Sequence, residues 1–111
     1  MGLQFIDPGR LRHELTLEEC TYLPDSFGGH TEVWIEIATL FAMIEPVSAR
    51  RVFGAGQSLE IVTHRVTIRW RDGIRSGMRF RKQGRIFSIV TMHDPDESGR
   101  YLVCQVKEEG L

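Results

Sequence analysis

Four histidines, His13, His30, His64 and His93, are the residues best suited to acid–base work or metal ligation. Their spacing supports neither, because no His-x-x-x-His or His-Glu-x-x-His pair would bring two imidazoles onto one helix face. His13 and His64 fall in phase with apolar positions of extended segments, which suits a core or interface histidine better than a ligand. Cys20 and Cys104 are far apart and form no Cys-x-x-Cys pair, so neither zinc binding nor redox exchange is signalled. They read as buried free thiols, a pattern that fits a reducing cytoplasm. Asp94, Asp96 and Glu97 crowd one short segment but lack the longer calcium loop with its terminal bidentate glutamate, and so read as a solvated turn. Phe53-Gly54-Ala55-Gly56 has two glycines but no Lys-Ser or Lys-Thr to hold a phosphate. No catalytic, cofactor-binding or metal-binding set assembles. The chain reads as a non-enzyme without a cofactor or a small-molecule substrate.

Arginine is the remaining chemistry. The net charge is −1, unevenly spread. Residues 50–85 hold ten lysines and arginines against two acids, residues 1–49 two against eight, and residues 86–111 two against five. Such polarity suggests complementary faces, toward partners or toward other copies of the chain. Within the basic segment, Arg65, Arg69, Arg71, Arg79 and Arg81 share alternating parity on two extended stretches. If those stretches pair as a hairpin, their guanidinium groups form one basic face. That face could be a solvated surface with scattered carboxylate partners, a contact for DNA phosphates, or a protein interface. Glu14, Glu18, Glu19, Glu32 and Glu36 are natural complements for an interface.

The elements that must position these residues are strands. Residues 11–19 alternate, with Leu11, His13, Leu15 and Leu17 on one face and Arg12, Glu14, Thr16 and Glu18 on the other. Residues 23–31 have loop chemistry. Val33 to Glu45 is apolar on both parities, which predicts a central strand from about Thr39, with a turn before it and a buried helix as the competitor. Pro46 is expected to end it. Residues 47–58 predict a mobile connection with a short helical turn at 48–53, broken by Gly54 and Gly56. Leu59 to Arg71 alternates again, with Val66, Ile68 and Trp70 facing one way, and Asp72-Gly73 is a hairpin signal. Met78 to Arg81, Ile86 to Met92 and Tyr101 to Lys107 complete about six strands.

So few antiparallel strands leave exposed edges unless the sheet closes, so the prediction is an all-β, mainly antiparallel small barrel. The 111 residues suit one domain, 1–111, with a modest core. Met1 to Arg10 lacks the apolar run of a signal peptide, and no apolar stretch is long enough to span a bilayer. The chain reads as soluble, with no membrane partner.

In this order the residues resemble the phage head–tail joining proteins, also called head-closure or stopper proteins. The resemblance covers nearly the whole chain. It opens on Gly9-Arg10-Leu11-Arg12-His13-Glu14-Leu15-Thr16-Leu17 and continues through Phe27-Gly28-Gly29, Trp34 and Phe41-Ala42-Met43-Ile44-Glu45-Pro46. His64, Ile68-Arg69-Trp70-Arg71 and Gly73-Ile74 follow, then Met78-Arg79, Gly84-Arg85-Ile86-Phe87-Ser88-Ile89 and Tyr101-Leu102-Val103-Cys104. Glu14 and Arg51 depart from the family's usual charges.

The resemblance implies a structural protein of the connector, or neck, of a bacteriophage, prophage or gene transfer agent. It implies a β-barrel subunit that forms a homo-oligomeric ring, a hexamer, below the portal and adaptor proteins. That ring docks a tail terminator or tail tube below and retains packaged double-stranded DNA in its channel. The particle is assembled in the bacterial host cytoplasm. Residues 47–58 match the family's channel loop, which would make Arg50, Arg51, Phe53, Gly54 and Gly56 gating residues; a plain surface connection is the other reading of that segment. A tail terminator, or a small-barrel nucleic-acid-binding module, remains the alternative function.

Overall fold

The computed structural model describes residues 6–53 and 59–110. One turn of 3-10 helix, Pro8–Arg10, opens it, with the Asp7 side chain accepting the Gly9 N–H as cap. Six strands follow: β1 (His13–Pro24), β2 (His30–Phe53), β3 (Leu59–Arg69), β4 (Arg79–Lys82), β5 (Arg85–His93) and β6 (Tyr101–Glu108). Every pairing is antiparallel, and the order β1-β2-β3-β6-β5-β4 closes on itself through β4 and β1. The expected small antiparallel barrel is the fold.

Alternation fills the core. Leu15 and Leu17 of β1, Val66 and Ile68 of β3, Phe80 of β4, Phe87 and Ile89 of β5, and Leu102, Cys104 and Val106 of β6 all point inward and are buried. Phe80 stands in register with both Leu17 and Phe87, so the closing seam is also the best-packed part of the interior. Burying a phenylalanine contributes roughly 2–3 kcal/mol, and two face each other here.

Strand β2 departs most from expectation. It is one strand of 24 residues, neither turn-then-strand nor helix. It continues through Pro46, and the register shift between Pro46 and Arg50 accommodates the missing N–H. The helical turn expected at 48–53 is instead extended chain, with Arg50 to Phe53 paired to Val62 to Leu59. The expected break at Gly54 and Gly56 lies outside the described residues. β2 outruns the barrel in both directions: it pairs with β1 over residues 30–42 and with β3 over residues 42–53. Its double apolar pattern follows from this. Leu40, Ala42 and Ile44 serve the core, whereas Ile35, Ile37 and Phe41 remain exposed. The projecting β1–β2 and β2–β3 ribbons give the molecule its 55 × 29 × 25 Å extents.

The hairpin expected at Asp72-Gly73 does not form. Strand β3 is hydrogen-bonded to β2 on one edge and β6 on the other, which leaves no edge for β4. β4 lies between β1 and β5 instead. The connection turns at Gly73 and Gly77, whose φ values of 85° and 94° suit glycine. Trp70, expected inside with Val66 and Ile68, lies just past the end of β3. It is exposed, its indole N–H bonded to Asp72.

Candidate functional site

The arginines expected on one basic face are divided among three settings. Arg79 and Arg81 flank Phe80 on β4 and point out of the barrel at the seam with β1. Between them lies Glu18, only 6% exposed. Arg79 Nε donates to Glu18 Oε1 at 2.7 Å and Arg81 Nε to Oε2 at 2.9 Å. The Arg79 guanidinium also stacks 3.9 Å from the centre of the Trp34 ring. Burial pushes the Glu18 carboxyl up, but hydrogen bonds from Arg81 and Arg79 outweigh it and hold it below its ordinary value. These two arginines are spent on closing the barrel.

Arg65, on β3, lies 3.6 Å from Glu45 in a solvent-exposed pair, a weak interaction. Arg69 and Arg71, at the end of β3 and just beyond it, are exposed and have no carboxylate partner among the described residues. Of the five, they alone retain unengaged charge in the described structure.

A second ion cluster ties β6 to the β4–β5 turn. Arg85 grips Glu108 with two hydrogen bonds of 2.7 and 2.9 Å, while the Glu108 N–H donates to Thr63 Oγ1. His64 Nε2 lies 3.8 Å from the same carboxylate, and its ring meets Phe87 edge-on. Desolvation lowers the His64 pKa and outweighs the raising pull of Glu108. The imidazole is a neutral packing element at neutral pH. His13 is exposed at the start of β1.

The acidic loop satisfies itself. Asp94 accepts the N–H groups of Asp96 and Gly99, and Asp96 accepts from Ser98 N–H and Arg100. Among the described residues no group of His, Cys, Asp and Glu could hold a metal ion. Cys104 is buried, with its thiol pushed up to about 12 by desolvation, and Cys20 is half-buried; both are free.

What remains for recognition is on the projections. The β2–β3 ribbon carries exposed Arg51, Phe53 (71% exposed), Leu59 and Ile61 away from the core. Gly54 and Gly56 of the expected gate lie outside the described residues, as does the Arg50 side chain. The β1–β2 ribbon ends in a turn built by Asp25, whose Oδ1 accepts the N–H groups of Phe27 and Gly29. Phe27 stands at its apex, 95% exposed. A groove of about 450 Å³ opens where β3 leaves β2, lined in part by Leu11, Leu40, Phe41, Ile68 and Trp70 and edged by Arg69 and Arg71.

Periodicity could not reveal the Glu18 cluster, because 61 residues separate Glu18 from Arg79 and Glu18 occupies an ordinary polar position in its strand. Nor could it reveal the groove, which forms only where two strands diverge.

A family model described as phage head completion protein matches residues 6–109. The chain belongs to the phage head completion protein family. Membership makes it a structural virion component rather than a member of an enzyme family. Solved structures similar to the chain include two of particular use. One is a chain of the virion of a native gene transfer agent particle, 27% identical, with a TM-score of 0.67 over 90% of this chain and 94% of that one. The other is protein SF1141 from Shigella flexneri 2a, 26% identical, with a TM-score of 0.70 over 95% of this chain and 98% of that one. No curated protein matches the chain.

Proposed function

We propose that the chain forms a ring in the head–tail connector of a tailed phage or gene transfer agent, where it docks the tail and retains packaged DNA. The observation that carries this reading is the division of labour within β2. Its middle is barrel wall, while its two ends leave the barrel as ribbons rich in exposed apolar side chains. A monomer gains nothing from Phe27 and Phe53 in water, whereas a subunit with neighbours above, below and beside it can bury both.

In this reading the β2–β3 ribbon points into the channel. Exposed Arg51 brings positive charge to the DNA end, and the Arg50 backbone beside it is in register opposite Val62. Strand pairing up to Phe53 makes the described part of the ribbon stiffer than a plain loop. Arg69 and Arg71, rather than the dispersed set of five, face a protein partner. The portal and adaptor proteins lie above the ring and the tail proteins below.

Deleting residues 49–56 tests the gate. Particles should assemble and package yet lose DNA on standing; full retention would remove gating from the proposal. Imaging of the particle neck tests the ring itself, and an image lacking a ring of this chain below the portal would overturn it.

A further inference from the structure

The groove carries arginines and the β1–β2 ribbon carries acids, and the ribbon's apex and the groove lie at separate places on one molecule. Beyond Glu18, residues 19–36 of the ribbon carry four acids, Glu19, Asp25, Glu32 and Glu36, and no lysine or arginine, and of these Glu19 is paired with Arg75 of the same chain. The groove is lined by Leu11, Phe41 and Trp70 together with Arg69 and Arg71, which have no carboxylate partners among the described residues. Its volume is ample for one aromatic ring.

Reach fits as well. Beyond Glu18, the last β1 residue paired with β4, six residues of ribbon lead to Pro24. At roughly 3.3 Å per residue they project about 20 Å, most of the 25–29 Å width of a neighbouring copy. The receiving side is open too. β3 reaches β2 only from Ala42 onward, so residues 30–41 of β2 have no strand on that edge among the described residues.

We propose that the apex of one copy docks into the groove of a second copy of this chain, with Phe27 seated beside Trp70 and Phe41 and the acidic ribbon lying along Arg69 and Arg71. The contact is heterologous, since donor and acceptor surfaces differ, and repeated by rotation it closes a ring. It rests on the ring reading above and names the contact that builds the ring.

Particles carrying Phe27→Cys with Thr39→Cys, in a Cys20→Ser background, test it under mild oxidation. Thr39 lies at the groove, and nine residues of strand, about 30 Å, separate it from His30 beside the apex. That span prevents a disulfide within one chain. The expected denaturing gel shows a ladder at multiples of 12.7 kDa that neither single cysteine produces. Monomer bands from particles whose necks still image as rings would overturn the contact and leave the ring reading standing. Monomer bands from particles lacking the ring would overturn both. Cross-linking to a protein of another mass would assign the apex to a different neck component and overturn the proposal. In a second measurement, Phe27→Ser or Arg71→Glu, both at exposed positions, should lower incorporation of the chain into particles at least tenfold while the purified chain unfolds at the same urea concentration. Normal incorporation of both would also overturn it.

Discussion

Glu18 and Arg79 stand directly opposite each other across the β1–β4 seam, carboxylate oxygen to guanidinium nitrogen at 2.7 Å, and only three residue pairs hold that seam. The ion pair lies at the strand contact with the fewest paired residues in the closed sheet, beside the buried Leu17–Phe80 contact.

Replacing Glu18 with Gln should therefore cost more than a surface charge usually does. It leaves Arg79 and Arg81 side by side without the carboxylate that separates them. A fully buried pair broken on one side costs about 3–5 kcal/mol. Arg81 is over a third exposed, so solvent screening reduces the expected loss to about 2 kcal/mol. Urea unfolding should show a lower midpoint with an unchanged slope.

Acid should destabilise the protein in two stages. The His64 pKa is lowered from an ordinary 6.5 chiefly by burial, so the unfolded chain binds its proton first and stability falls as pH drops through and below 6.5. In Glu108 the carboxyl is lowered chiefly by the Arg85 hydrogen bond, and in Glu18 the Arg81 and Arg79 bonds overcome desolvation. Their contribution is present above the ordinary carboxylate value of 4.5 and is lost as pH falls through their folded values. Unfolding midpoints from pH 8 to pH 3 should fall in both windows. His64→Phe should flatten the upper window, and Glu18→Gln should weaken the lower.

Thiol chemistry should divide the two cysteines. With its pKa near 12, Cys104 is ionised to only about one part in ten thousand at pH 8, and the barrel wall covers it. A thiol reagent should label half-buried Cys20 in the native protein and reach Cys104 only in denaturant. Mass mapping of the labelled peptides decides this, and equal labelling in native buffer would show that the barrel opens readily.

Phe80→Ala should be the most damaging single core truncation. The ring is fully buried and in register with both Leu17 and Phe87, so its removal leaves a cavity at the closing seam and should cost about 3–5 kcal/mol. Thermal unfolding measures the loss; a drop below about 1 kcal/mol would mean that the seam collapses to fill the space.

Alternation was legible wherever one face of a strand met the core and the other met water, as at Leu15 and Leu17 or Val66 and Ile68. It misled where that condition failed. Ile35 lies on the ribbon beyond Glu18, and Ile37 and Phe41 are exposed beside barrel-wall residues; a one-dimensional pattern records side-chain type without recording what covers it. The arginine face failed for a related reason. Parity placed Arg69 and Arg79 on polar faces correctly, but which strand lies beside which is a property of the closed sheet.

The sequence by itself determined an antiparallel six-stranded barrel and the family, because period-two burial and an ordered set of short motifs are local properties of a chain. Tertiary structure alone decided that Glu18 joins Arg79 and Arg81, that β2 runs unbroken through Pro46, and that Phe27 and the Trp70 groove end up at separate places on the surface. Each depends on contacts between residues distant in the chain, whose partners are chosen by the requirement that every inner strand edge be hydrogen-bonded and the core be filled.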